Sequence, residues 1–292
     1  MDEPEYDAPT GRKTTGHEWN GIKELDNPVP KVVLAFLAIT FIFSVIYWVI
    51  APAWPLGVTY TRGLLGLNDR TEVTHQVEAA AADRAAFTSR LESESFASLA
   101  ADPALMAYVD ETAPTLFEDN CAACHGSDRQ GGPGYPNLAA SPRLWGGEPE
   151  TVAETIRVGI NGDHPQTRRS QMSAFGEFGT LDRDQIQAVS AYVRSLSGQD
   201  LTAAERGRVA PGAEIFATTC ASCHGVDGRG DRNQGAPNLT DDVWIYGGDA
   251  EAVYETIQGG RQGHMPSWEG RLSPADIRML TLYIDAHRGS GR

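Results

Sequence analysis

Two stretches decide the fold: LFEDNCAACHG at 116–126 and IFATTCASCHG at 215–225. Between them they hold all four cysteines of the 292-residue chain, as two pairs with the same internal spacing. The likeness continues outward from both. YPNL at 135–138 matches APNL at 236–239, and WGGEPETVAETI at 145–156 matches YGGDAEAVYETI at 246–257. LDRDQIQAVSAYVRSL at 181–196 matches LSPADIRMLTLYIDAH at 272–287. The chain therefore carries an internal repeat, with one module over 111–198 and another over 205–288, joined near SGQDLTAAERG. Each module reads as a short helix, the cysteine motif, a Gly/Pro loop, a middle helix, a second loop and a final helix with capping residues before its apolar run. Neither module shows the period-two alternation of a strand, so the expected class is all-α.

Cys121-Ala-Ala-Cys124-His125 and Cys220-Ala-Ser-Cys223-His224 are both C-x-x-C-H, the attachment motif of c-type haem. Two thiols add across the two vinyl groups of the porphyrin, and one helical turn sets them at the vinyl spacing. The histidine that comes next supplies an axial nitrogen. A thioredoxin-type dithiol would sit in a β-α-β pattern, which is absent. A structural zinc site would need its pairs close together in sequence. Two C-x-x-C-H motifs at equivalent places of a repeat imply two covalently bound haems c, held by Cys121, Cys124, Cys220 and Cys223, with His125 and His224 on the irons.

The two segments resemble small cytochrome c modules. That resemblance implies that the carbonyls of Pro136 and Pro237 hold the free nitrogens of the ligating imidazoles, which fixes each ring and strengthens it as a donor. It also implies a methionine as the other axial ligand, from the loop before the final helix. Such ligation raises the reduction potential. Met265 in GHMPSW is the candidate in the second module, ahead of its neighbour His264, while Met279 lies inside the final helix and reads as core. In HPQTRRSQMSAFG, 164–176, two residues compete. Counting forward from the middle helix places His164 on Met265, whereas counting back from the final helix places Met172 there. The ligand loop leads into the final helix, so the backward count is the better physical guide. Met172 is the expected ligand and His164 the alternative, with HPQTRR as an insertion.

VVLAFLAITFIFSVIYWVI, 32–50, carries no charge and is close to the length that crosses a bilayer as a helix. Trp48 and Trp54 lie near its end, and Pro52 and Pro55 stop it. Its polar leader and poor cleavage site distinguish it from a signal peptide. The expected organisation is an N-terminal segment over 1–31, a transmembrane helix over 32–51, and a linker over 52–110. Asp102-Pro103 is expected to stop the linker's Ala-rich helix. Arg12, Lys13, Lys23 and Lys31 precede the span and only Arg62 and Arg70 closely follow it, which places the N-terminus in the cytoplasm and the modules outside. The formal charge of −15 argues against nucleic acid and favours a basic partner.

GHEWNGIKELDNPVP at 16–30, directly before one spanning helix and two haem c modules, resembles the dihaem subunit III (CcoP/FixP) of cbb3-type cytochrome c oxidases. The residues that carry the likeness are His17, Gly21, Ile22, Glu24, Asp26, Asn27, Pro28 and Pro30. The resemblance implies a single-pass subunit in a bacterial inner membrane with periplasmic haem domains. It would relay electrons from a donor cytochrome c towards a monohaem subunit and a haem–copper catalytic subunit that reduces oxygen and pumps protons. The chain itself would carry no oxygen chemistry. A dihaem cytochrome subunit of a membrane dehydrogenase, a dihaem peroxidase and a gas sensor are the alternatives. The second and third require an iron with a free or displaceable position.

Overall fold

The computed structural model describes residues 5–140 and 144–289, in two compact units over 1–83 and 84–292. The first unit begins with an antiparallel hairpin, β1 (Thr14–Trp19) and β2 (Ile22–Leu25), paired Glu18 to Lys23 and Trp19 to Ile22. Its turn is Asn20-Gly21, both with positive φ (50° and 85°), the combination that matches the twist of a two-residue hairpin. Within the N-terminal segment, residues 14–25 are thus paired. The sequence signal for the pairing is the Asn-Gly dipeptide.

Helix α1 (Lys31–Ile50) follows Pro30, and none of its residues is buried within the protein. Within its uncharged run over 32–50, Thr40 and Ser44 bond their own backbone. Thr40 donates to the carbonyl of Phe36 (3.0 Å) and Ser44 to that of Thr40 (2.9 Å). A uniformly apolar helix with internally satisfied polar groups is suited to lipid. Among the described residues it is the one helix long and apolar enough to span a membrane.

Helix α2 (Asp69–Ser93) is solvated over its first turns and is buried only at Leu91. In the second unit it is followed by α3 (Phe96–Ala100), α4 (Pro103–Asn120), α5 (Ala122–His125), α6 (Pro149–Val158) and α7 (Arg183–Leu196). Then come α8 (Ala203–Arg206), α9 (Val209–Ile215), a π-helical turn over Phe216–Cys220, α10 (Ala221–His224), α11 (Ala250–Gly259) and α12 (Pro274–Ala286). Asp102-Pro103 does not simply stop a helix. Asp102 caps α4, accepting from the amides of Ala104 (2.8 Å) and Leu105 (3.2 Å), and Pro103 occupies the first helical position. The end of the expected linker is therefore part of the folded unit, since Leu91, Phe96, Leu99, Leu105 and Val109 are all buried.

The second unit has two cores, and neither is built from one sequence repeat. In the first, the stripe Leu105, Val109, Ala113 and Phe117 of α4, none more than 1% exposed, packs with Val152 and Ile156 of α6. The final helix closing this core is α12, with Ile277, Leu280, Tyr283 and Ile284. In the second core, Phe216 packs with Val253 and Ile257 of α11 and with Ile186, Val189 and Val193 of α7. Each cysteine motif is thus closed by the final helix of the other repeat. The exchange is symmetric down to the aromatic pairs, Phe117 with Tyr283 (5.9 Å) and Phe216 with Tyr192 (5.2 Å). Burying each such large side chain contributes about 1.5–3 kcal/mol, so the swapped helices are held as firmly as any core element.

Candidate haem-binding sites

The cysteine motifs fold as single helical turns at the end of a longer helix. Cys121 ends α4 and the amide of His125 bonds back to its carbonyl (3.0 Å). Cys121 and Cys220 are half-buried, and burial pushes each thiol up to about 11. Cys124 and Cys223 are exposed, and all four thiols are free.

Both histidines are oriented by a proline carbonyl. His125 Nδ1 lies 3.1 Å from the carbonyl oxygen of Pro136, and His224 Nδ1 lies 3.1 Å from that of Pro237. A carbonyl only accepts, so Nδ1 carries the proton and Nε2 keeps its lone pair. Burial holds both imidazoles below their ordinary pKa, which favours the neutral form that binds a metal.

The methionines arrive from opposite repeats. Met265 packs against the first core together with Cys121 and Ala122. Met172 packs against the second with Cys220 and Ala221. Short backbone pairings pin both loops. Met265 exchanges two hydrogen bonds with Ile160 (2.9 Å each), and Met172 exchanges two with Arg261 (2.8 and 3.1 Å). Further along, the amide of Trp268 bonds to the carbonyl of Ile156 (3.2 Å) and that of Phe175 to the carbonyl of Ile257 (3.1 Å). Gly159 and Gly260 make this possible. Each succeeds its middle helix with φ near +67° and an extended ψ, which side chains rarely adopt. A Cβ on Gly159 would collide with the carbonyl of Met265, and one on Gly260 with that of Met172.

This pairing places Met172, not His164, as the counterpart of Met265. His164 is occupied elsewhere. Its Nδ1 accepts from the amide of Gln166 (3.0 Å), so its Nε2 donates to Glu269 (2.5 Å). Glu269 also accepts from Arg157 (2.7 Å), which in turn holds Glu154. Repeat order assigns each methionine to the histidine of its own repeat, whereas the packing pairs them crosswise. The sequence holds a signal of this: twelve residues separate Gly159 from Met172, but only four separate Gly260 from Met265.

The residues fit haem c. Each site offers two unpaired thiols one turn apart, a neutral imidazole with a bare nitrogen, and a methionine on the same core. Buried donors without a partner among the described residues include the Nε of Arg129 and Arg168 and the indole nitrogen of Trp244. Such donors suit the anionic propionates of a haem. Arg168 lies over the Trp145 ring (5.0 Å) and Arg261 over Tyr246 (4.6 Å), again in matching positions.

Comparison with known proteins gives matches along nearly the whole chain. Residues 11–58 match the N-terminal domain of the cbb3 cytochrome oxidase protein FixP. Residues 111–197 match the cytochrome c family, and 207–284 match subunit III of cbb3-type cytochrome c oxidase. The chain is 42% identical over 288 residues to the cbb3-type cytochrome c oxidase subunit FixP of Bradyrhizobium diazoefficiens, covering 99% of each chain. It is 43% identical to subunit CcoP of Cereibacter sphaeroides over 96% of each chain. It is 39% identical to subunit CcoP of Azospirillum brasilense over 97% of this chain and 98% of that one.

Proposed function

Because the chain belongs to the FixP/CcoP family of cbb3-type cytochrome c oxidase subunits, we propose that it is a membrane-anchored electron relay with two covalent haems c. It accepts electrons from a donor cytochrome c and passes them towards a monohaem subunit and a haem–copper catalytic subunit. Helix α1 anchors it in the bacterial inner membrane, with the N-terminus cytoplasmic and the haem-binding halves periplasmic, as the basic residues before the span suggest.

Cys121, Cys124 and His125 would hold one haem, with Met265 as its further ligand. Cys220, Cys223 and His224 would hold the other, with Met172 as its further ligand. The haem supplies one-electron iron chemistry when bound. The protein's part would be to hold the two histidines and two methionines in place so that nothing need rearrange when charge moves. Pro136 and Pro237 lock the imidazole rings, while the backbone pairings of Ile160 and Arg261 lock the methionines. With a histidine and a methionine both held by the protein, each haem site would suit electron transfer rather than substrate binding. The acidic modules, with eleven acidic against seven basic residues over 111–198, suit a basic donor.

The observation that carries this reading is the pair of proline-anchored histidines, each in a cysteine motif that packs on the same core as a loop methionine, Met265 for the first and Met172 for the second. Purification from native membranes tests it. The chain is expected to co-purify with a haem–copper subunit and a monohaem cytochrome, and its haems to be reduced by cytochrome c ahead of the catalytic centre. Purification with a dehydrogenase, or alone, overturns the oxidase assignment.

A further inference from the structure

Beyond α1 the chain does not turn directly into solvated structure. Residues 51–68, APAWPLGVTYTRGLLGLN, hold one charge, Arg62. The segment folds back on the end of the helix. The amides of Leu64 and Leu65 bond to the carbonyls of Val49 and Ile50 (3.0 Å each), and that of Ala51 to the carbonyl of Tyr47 (2.8 Å). A small turn is closed by the amide of Thr61 on the carbonyl of Trp54 (2.9 Å) and that of Leu56 on Thr59 (2.6 Å). The backbone is satisfied internally where helix ends in water usually leave carbonyls to solvent.

The side chains do the opposite. Trp54, Leu56, Val58, Leu64, Leu65 and Leu67 are all exposed, Leu64 at 80%. A soluble surface rarely gathers so much apolar area in one place. The 20 residues of α1 at about 1.5 Å each already cross the hydrocarbon core of roughly 30 Å. The residues just past its end therefore lie at the level of the lipid headgroups. Trp48 at the end of the helix and Trp54 in the folded segment meet edge to face (5.0 Å), where indoles favour the interface.

We propose that residues 51–68 form a foot that lies in the lipid interface, with these apolar side chains among the upper acyl carbons and Arg62 reaching the phosphates. Its ligand is phospholipid. The membrane anchor of this chain is then a helix plus a folded interfacial element, continuous in sequence and in apolar surface. This inference rests on the membrane span and not on the haem assignment.

Collision measurements on a nitroxide test it. Val58→Cys, Leu64→Cys and, as a solvated reference on α2, Glu78→Cys are placed singly in the full-length chain and spin-labelled. Each is measured in phosphatidylcholine–phosphatidylglycerol vesicles and in the native complex, with the parent chain taken through labelling as the blank. The ratio of collisions with oxygen to collisions with a water-soluble nickel chelate is expected to be several-fold higher at 58 and 64 than at 78. Equal ratios at all three positions overturn the proposal, because the foot is then in water. Loss of collisions with both reagents at 58 and 64 also overturns it, because a protein neighbour then covers the foot.

Discussion

Around Cys121 the core is closed by α12, from the far end of the chain, and by the segment from Leu91 to Leu99. Around Cys220 it is closed by α7, which precedes its cysteine motif, with no such extra segment among the described residues. The first core is the larger, and α12 is also clasped from outside. Arg278 donates to the carbonyls of Leu91 and Glu94 and lies over the Phe96 ring (4.1 Å). The second core relies instead on Arg194, which is 8% exposed and bonds to the carbonyls of Gly248 (3.3 Å) and Asp200 (3.0 Å) and to Glu205. Two similar sequences thus reach similar sites with unequal support, hydrophobic in one and polar in the other.

The crosswise ligand assignment is the part of this comparison most open to a decisive result. With Cys121 and Cys124 both changed to Ala, only the second motif can attach haem. In that background Met172→Ala should remove the entire sulfur-to-iron charge-transfer band, and Met265→Ala should leave it intact. The reverse pattern would falsify the exchange.

Support from the swapped helices is the next largest effect. Leu280→Ala empties a fully buried position on α12 and should cost about 2–5 kcal/mol. Although Leu280 lies in the second repeat, the optical change on denaturant titration should begin at the haem held by His125. If the haem held by His224 responds first, the cores are not divided as described.

Gly159→Ala and Gly260→Ala each place a Cβ on a methionine carbonyl at a positive φ, with an expected cost of about 1–3 kcal/mol. The first should weaken the band that depends on Met265, and the second the band that depends on Met172. Uniform weakening of both bands would mean that the two loops yield as one piece.

Glu205 tests the polar half. Its carboxyl is held below the usual 4.5 by the amide of Thr202, then by the Thr202 hydroxyl and Arg194. Because the folded pKa is depressed, the stabilisation is fully present above the unfolded value and fades as pH falls through the folded one. Glu205→Gln should therefore lower Tm at neutral pH, and the gap to the parent should close in acid below 4.5. Leaving Arg194 without its carboxylate costs about 1–3 kcal/mol. A gap that is independent of pH would assign the effect to packing. The smallest effect is at the entrance to the hydrophobic half. Asp102→Ala removes the cap of α4 and should cost about 1 kcal/mol in a thermal melt, most of it recovered by Asp102→Asn.

Much of this is legible in the chain. The C-x-x-C-H motifs come from local spacing, the roles of Pro136 and Pro237 and of a methionine from the resemblance to cytochrome c modules, and the preference for Met172 over His164 from counting back from the final helix. The apolar span is equally local. The exchange of α7 and α12 is not legible, since both helices present similar apolar stripes and either would pack on either partner. Its trace is the longer loop from Gly159 to Met172, which reads as a mere insertion until both repeats are seen together. Asp102-Pro103 shows a different limit. The dipeptide reads as the stop of the Ala-rich helix, but that helix ends earlier, at Ser93, and Asp102-Pro103 instead starts α4.

The exchange also sets an order of completion. Everything that the second half needs, from Met172 to Arg261, is one unbroken stretch that lies wholly inside the first half. The first half is interrupted after Gly159 and resumes at Met265. As the chain emerges from its N-terminus, the inner half can close while the outer one still waits for its last helix. The motif that is made first is therefore the one finished last, and a chain cut short just before α12 would keep its second haem site while never completing its first.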